Sequence, residues 1–108
     1  MRQKPVEDLE LIGVFKALGD AHRFRMVREL AAAGELSCGQ VAERFPLAQA
    51  TISHHLKILA DAGLVIVRPE AKHRFFSENR ALLTRVVDLL PARLTPARKP
   101  KVRTKESS

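Results

Sequence analysis

Two helix-forming segments separated by a proline constrain the fold of this chain most strongly. Gln40 lies three residues after Ser37, which is the spacing of a capping box and predicts a short helix over residues 38–45. Pro46 interrupts that helix, because proline lacks the amide hydrogen and clashes with the preceding turn. A longer helical pattern follows and stops at Gly63. A short helix, a tight turn and a longer helix together indicate a helix-turn-helix unit.

A β-hairpin is predicted directly after this unit. Residues 64–68 (Leu-Val-Ile-Val-Arg) are rich in the β-branched side chains that favour strands. Residues 69–72 are polar and turn-like, and residues 73–77 return as a second strand. The sequence therefore predicts a mainly α fold with one β-hairpin, in which the hairpin forms the wing of a winged helix-turn-helix.

Three further helices are predicted around the central unit. Apolar residues recur at helical spacing over residues 7–18 and 21–32, and Asp20 can cap the second of these helices. A last helix covers residues 80–90, and we expect Pro91 to end it. The predicted order is thus four helices, a hairpin and a final helix.

The length of 108 residues fits one domain, and the charge is unevenly distributed along it. Residues 1–90 carry 13 Lys and Arg against 11 Asp and Glu, whereas residues 91–108 carry six against one, so most of the net charge of +7 lies at the C-terminus. We predict an N-terminal arm over 1–6, a folded domain over 7–93 and a disordered basic tail over 94–108. The tail either adds phosphate contacts or only aids solubility.

The helix predicted over Gln49–Ala62 has one apolar and one polar side. Ile52, Leu56 and Leu59 cluster on the apolar side and should be buried. We expect the polar side and the first turn to face DNA, with Lys57 on a phosphate and the other residues near base edges. The residues predicted to contact DNA in this helix are Gln49, Ala50, Thr51, Ser53, His54 and Lys57. An ordinary solvated helix face remains the alternative.

The sequence lacks the motifs of common enzymes. It contains no glycine-rich phosphate loop and no HExxH pattern, and it has no Tyr or Trp on which single-stranded bases could stack. We therefore expect no enzyme. A DNA-binding regulator and a protein-interaction module remain, and binding to duplex DNA distinguishes them.

Two segments carry a family resemblance. Residues 17–23, Ala-Leu-Gly-Asp-Ala-His-Arg, resemble the ALGDPxR signature of arsenic-repressor-type (ArsR/SmtB) regulators. Residues 51–59, Thr-Ile-Ser-His-His-Leu-Lys-Ile-Leu, and the Ala-Gly-Leu-Val that follows them resemble the recognition helix and first wing strand of that family. The resemblance covers about residues 9–90.

This resemblance implies a homodimeric repressor that binds palindromic double-stranded DNA. It places base contacts near Gln49, Ser53 and His54, and wing contacts near Arg68, Lys72 and Arg74. One departure is Ala48, where the family often has a Ser helix cap.

The metal sites that are usual in the family are not expected here. The positions that match the paired thiols of the third helix hold Ser37 and Gly39, and the last helix contains Asp88 but no His. Neither place offers the three or four N or S ligands that zinc and soft metals require. We therefore predict no metal and no cofactor, and no residue pattern assigns an effector.

The single cysteine and three of the histidines lie outside the predicted DNA contacts. We interpret Cys38 first as a small residue that fills space in the third helix. The alternative is a thiolate, favoured by the dipole near a helix start, that senses oxidants or a soft metal. We expect His55 to pack beside the core, and His22 and His73 to be ordinary polar or hydrogen-bonded residues.

The last helix is more apolar than one buried stripe requires, which favours a dimer. The residues predicted for the dimer interface are Leu11, Phe15, Leu83, Val86, Val87 and Leu90. With no signal peptide and no apolar run of about 20 residues, we expect a cytoplasmic protein that joins the nucleoid when bound to DNA and has no membrane partner.

Overall fold

The computed structural model describes residues 5–95, which form five helices and a small three-stranded sheet. Within residues 5–95, the first and last elements are helices, and the three strands lie between the second and the last helices in sequence. The elements in chain order are α1 Asp8–Leu18, α2 Ala21–Ala33, β1 Leu36–Ser37, α3 Cys38–Ala42, α4 Gln49–Asp61, β2 Val65–Glu70, β3 His73–Glu78 and α5 Arg80–Leu94. The winged helix-turn-helix predicted from the sequence is confirmed.

Side-chain caps fix the starts of several helices. Asp20 accepts hydrogen bonds from the backbone amides of His22 and Arg23 at 2.9 and 3.1 Å and so begins α2. At the start of α3, Ser37 and Gln40 form the reciprocal capping box that their spacing predicts. Local sequence signals therefore set these two boundaries.

One apolar core joins all the layers. Helix α4 contributes Ile52, Leu56 and Leu59, which are almost completely buried, as the predicted periodicity requires. The largest fully buried side chains are Met26, Leu30, Ile52, Leu56, Leu59, Leu64, Val14 and Val41. The core therefore holds α4 against α2 and the sheet, and the polar side of α4 faces outwards.

The sheet contains a strand that the sequence does not predict. Leu36 and Ser37 pair antiparallel with Phe76 and Phe75 of β3, so the strand order is β1-β3-β2. The hairpin is also longer than expected, because Pro69 and Glu70 belong to β2 and only two residues form the turn. We call the hairpin of β2 and β3 the wing.

Helix α5 and the residues before α1 differ from the sequence-based expectation. Helix α5 continues past Pro91 to Leu94, so the expectation that Pro91 ends it is wrong. Arg93 on this added turn donates to Asp8 and to the carbonyl of Val6. Val6 itself is only 2% exposed and belongs to the core rather than to an arm. The rest of the predicted basic tail, residues 96–108, lies outside the described residues, and no helix within 5–95 is long and apolar enough to cross a membrane.

Candidate nucleic-acid interface

The exposed side of α4 forms one wall of a cleft, and the wing forms the other. Gln49, Ser53 and Lys57 lie one turn apart along α4 and line this cleft. Lys72 and Arg74 line it from the wing. The cleft has a volume of about 690 Å³ and is open to solvent. Five of the predicted DNA-binding residues, from two separate elements, thus come together on one surface.

Three other predicted residues of α4 lie outside this cleft. Ala50, Thr51 and His54 are exposed on the N-terminal half of the helix, but they do not line the cleft. They remain accessible to a duplex that contacts the start of α4, which is the part of a recognition helix that normally meets base edges.

The pleat of the wing separates Arg74 from Arg68. Along β3, Arg74 and Phe76 lie on the face that lines the cleft, whereas Phe75 between them lies on the other face. Arg68 pairs with Phe75 across the hairpin and therefore shares that second face. The two wing arginines consequently point to opposite sides of the sheet.

Arg68 is bound to carboxylates rather than free for DNA. Its guanidinium donates to both carboxylate oxygens of Glu35 at 2.9 Å and to Glu70 at 2.6 Å. These hydrogen bonds raise the pKa of Arg68 and lower the pKa of Glu35. Arg68 therefore has its charge paired and lies away from the cleft, and a DNA contact at Arg68 stays a prediction that would require breaking these hydrogen bonds.

The cleft also contains Asp61 and His73, which were not among the residues predicted to contact DNA. Asp61 lines the cleft and accepts a hydrogen bond from Lys57 at 3.1 Å, one helical turn away. His73 lines it from the start of β3. The helical periodicity of α4 puts Asp61 on the same side as Ser53 and Lys57, so the sequence could locate it. Strand alternation puts His73 on the face of Phe75, opposite Arg74, and only the folded wing tip brings His73 to the cleft.

Cys38 lines the same cleft but is not an activated thiol. Burial raises its pKa above the ordinary value, and a hydrogen bond with the Gln49 side chain opposes this only in part. A helix of five residues also has a weak dipole. These features favour the interpretation of Cys38 as a small space-filling residue over the alternative of a reactive thiolate. Within residues 5–95, no group of three or more His, Cys, Asp and Glu side chains could hold a metal ion.

Several relatives and solved structures resemble this chain. A helix-turn-helix domain model matches residues 18–68, which span α2 to the middle of β2. The HTH-type transcriptional regulator YceK of Bacillus subtilis is 37% identical over 78 residues, covering 71% of this chain and 78% of that protein. The arsenical resistance operon repressor of Staphylococcus aureus is 33% identical over 81 residues, covering 75% and 77%. The chain belongs to the ArsR family.

A solved structure supports the same assignment. An ArsR-like transcriptional regulator from Rhodococcus sp. RHA1 superposes with a TM-score of 0.71 at 30% identity, covering 77% of each chain. The resemblance read from the Ala17–Arg23 and Thr51–Leu59 segments is therefore confirmed. As an ArsR-family member, the chain is a DNA-binding transcriptional regulator and not an enzyme.

Proposed function

We propose that this ArsR-family protein is a homodimeric repressor that binds a palindromic operator in double-stranded DNA. The observation that carries the proposal is the cleft between α4 and the wing, where polar and cationic side chains from two elements converge. The residues at the start of α4 are suited to base contacts, and the cations of α4 and the wing are suited to phosphate contacts.

Base contacts are assigned to the N-terminal half of α4. The amide of Gln49 can pair with adenine, and the hydroxyls of Thr51 and Ser53 and the ring of His54 can contact acceptors in the major groove. Ala50 is small and exposed, which allows close approach to the duplex. The first turns of this helix also have free backbone amides, which favour a nearby phosphate.

Phosphate contacts are assigned to the cations of the cleft. Lys57 lies later in α4, and Lys72 and Arg74 lie on the wing, all exposed to solvent. Such contacts hold the protein in register on the duplex without determining sequence.

The dimer interface is assigned to the outer surfaces of α1 and α5. Phe15 and Val87 are 43% and 66% exposed, which is unusual for large apolar side chains on two separate helices. Leu83 and Leu90 are half-buried beside them on α5. Leu11 and Val86 were also predicted here, but they are only 5% and 3% exposed, so the proposed interface rests on the exposed residues instead. The additional exposed apolar residues of these helices are Leu9, Ile12 and Leu94.

The DNA-binding part is tested with the purified full chain. Binding should be measured on the promoter region of its own gene and on a duplex that the wild-type protein selects from a random-sequence pool. We expect the selected duplex to bind at least about 1,000-fold more tightly than bulk DNA. Ser53→Ala should lower this preference, whereas Arg28→Gln, an exposed α2 cation that does not line the cleft, should leave it unchanged. Equal affinity for all duplexes would contradict the proposal, and no DNA binding would favour the protein-interaction module.

The dimer is tested by sedimentation at micromolar concentration. We expect a dimer, and two copies of α4 roughly 34 Å apart if the operator half-sites lie one DNA turn apart. Val87→Glu should shift the protein towards monomer. Ile66→Glu is a matched control, because Ile66 is also an exposed apolar residue, 50% exposed, but lies on the wing. A wild-type monomer would contradict the homodimer.

A further inference from the structure

The contact between Glu35 and Arg68 connects the wing to the segment that leads into β1. The strand pairing alone connects these two parts through few residues. Arg68 lies on β2, one outer strand of the sheet, and Glu35 immediately precedes β1, the other outer strand. The two side chains are 33 residues apart in sequence and meet through two parallel hydrogen bonds of 2.9 Å. This bidentate geometry fixes the orientation of both groups as well as their distance.

The Arg68 side chain crosses the central strand to make this contact. Ser37, Phe75 and Arg68 lie side by side across the three strands. The Arg68 guanidinium carbon is 4.9 Å from the centroid of the Phe75 ring, so the cation stacks on the aromatic side chain on its way to Glu35. The Phe75 ring therefore packs against the Arg68 guanidinium, and Glu70 on the same strand as Arg68 accepts a hydrogen bond from it.

The segment held by Arg68 borders the proposed DNA surface. Glu35 is followed by the two residues of β1, and Ser37 caps α3. Ser37, Cys38 and Gly39 also line the cleft between α4 and the wing. Since β1 pairs with β3 through only two residues, the Glu35–Arg68 contact is an additional tie between the wing and the helix-turn-helix unit.

The charge of Arg68 also argues against a role on phosphate. One guanidinium faces two carboxylates, so this cluster carries no excess positive charge. In the cleft on the opposite face, Lys57, Lys72 and Arg74 outnumber Asp61. An anionic DNA backbone is attracted to the cleft and not to this cluster.

We propose that Arg68 is a positioning residue, which fixes the angle of the wing through Glu35 and Phe75 so that Lys72 and Arg74 meet the phosphates, and does not contact DNA itself. This inference rests on the proposed DNA interface. It adds that Arg68, the wing cation with the most hydrogen bonds, orients the wing and does not bind DNA.

The two possible roles of Arg68 predict opposite effects when Glu35 is changed. If Arg68 positions the wing, Glu35→Gln weakens DNA binding because the tie is lost. If Arg68 binds phosphate, Glu35→Gln strengthens DNA binding because the cation is released. Both residues are partly exposed, so we expect each of Arg68→Gln and Glu35→Gln to raise the Kd for the selected duplex by about two- to fivefold.

The salt dependence of binding gives a second readout. A lost phosphate contact lowers the slope of log Kd against log salt by about 0.9. We expect Lys72→Gln to show this change, whereas Arg68→Gln and Glu35→Gln should retain the wild-type slope. The double variant should bind no more weakly than either single variant, because both remove the same tie. All variants should be compared at a temperature at which thermal unfolding shows them fully folded.

Three results would overturn the inference. These are tighter binding by Glu35→Gln, a reduced salt slope for Arg68→Gln, or unchanged affinity in both variants. If Lys72→Gln and Arg74→Gln leave affinity and slope unchanged, the wing interface itself is wrong, and that outcome is distinct from a failure of the positioning role alone.

Discussion

The Arg23 guanidinium lies 3.1 Å from Nδ1 of His55, and its Nε donates to the carbonyl of Ala17 at 2.7 Å. Arginine has only donors, so Nδ1 of His55 must accept this hydrogen bond and the ring carries its proton on Nε2. The contact joins the end of α1 and the start of α2 to the middle of α4. The neutral form of His55 is therefore part of the native packing behind the recognition helix.

The first prediction is that acid weakens the fold through His55. Burial lowers the pKa of His55, the charges of Arg23, His22 and His54 lower it further, and Asp20 opposes them. A histidine with a lowered pKa in the folded state binds protons more readily when unfolded. Its stabilising contribution is thus complete above the unfolded value of about 6.5 and is lost as the pH falls through the folded value.

The measurement is the urea midpoint at about pH 7.5 and about pH 5.0, for the wild type and His55→Gln. We expect the midpoint of the wild type to fall more on acidification than that of the variant, which has no titrating group at this position. The pKa of Asp20 is lowered by the backbone amide of Arg23, so its contribution is lost only at more acidic pH. Equal shifts in the two proteins would show that His55 does not couple protonation to folding.

The second prediction concerns Asp61, which places a negative charge in the cleft proposed to bind DNA. Asp61 forms an ion pair with Lys57, and the side chains of Lys57 and Asp61 are 72% and 67% exposed. Because the pair is so exposed, it stabilises the fold by no more than about 0.5 kcal/mol. Asp61→Asn should therefore leave the free energy of unfolding almost unchanged, but it should tighten DNA binding because it releases Lys57 and removes repulsion of phosphate. Affinity at several salt concentrations checks this.

Asp88→Asn is the control for Asp61→Asn, since it changes the net charge equally at an exposed site on α5 outside the cleft. Lys57→Gln should lower the salt slope by about 0.9. If both Asn variants tighten binding to the same extent, net charge and not the cleft would explain the effect.

Periodicity and capping residues in the sequence predicted the recognition helix well. Contacts between residues distant in sequence were not predicted. The 3.6-residue periodicity of Ile52, Leu56 and Leu59 located the buried face of α4 because burial in a helix is periodic. The two residues of β1 are too few to show any alternation, and they form a strand only because β3 packs beside them. The cleft wall formed by α4 was therefore predictable, whereas the strand pairing and side-chain contacts of the wing were not.

The differences between the predicted and observed surroundings of several residues have a common cause, which is packing between distant parts of the chain. Arg68 looked like any exposed wing cation, and only the folded sheet brings Glu35 to it. Leu11 and Val86 lie on helices with more apolar residues than one buried face needs, and the sequence did not show which of them face inwards. Pro91 was expected to end α5, but another helical turn forms beyond it, where Arg93 reaches Asp8 at 2.8 Å.

The third prediction concerns the missing cap of α4. Ala48 has the extended backbone of an N-cap residue, with φ −62° and ψ 149°, and its carbonyl accepts from Ile52 at 3.0 Å. Only a side-chain oxygen is absent. Ala48→Ser should therefore raise the free energy of unfolding by about 1 kcal/mol, as measured by chemical denaturation. Ala62→Ser at the other end of the helix is the control and should change it by at most a few tenths of a kcal/mol, and equal gains would contradict a capping effect.

The last prediction concerns Gly63, which ends α4 and begins the path to the wing. Its φ is +83°, and the amides of Gly63 and Leu64 donate to the carbonyls of Ala60 and Leu59, both at 3.0 Å. These two hydrogen bonds form a Schellman motif, which requires the left-handed conformation at Gly63. A Cβ atom at this position would also lie 3.1 Å from Cδ2 of Leu82 on α5.

Gly63→Ala should therefore lower the free energy of unfolding by about 1–2 kcal/mol, because an L side chain is strained in the left-handed region. The contact with Leu82 adds to this loss unless that side chain rotates away. Gly39→Ala is the control: Gly39 is helical in α3, and the nearest atom to its Cβ position is 4.0 Å away. This change should raise stability by at most about 1 kcal/mol, since alanine favours a helix. A neutral Gly63→Ala would mean that the turn from α4 into the wing does not depend on the left-handed glycine.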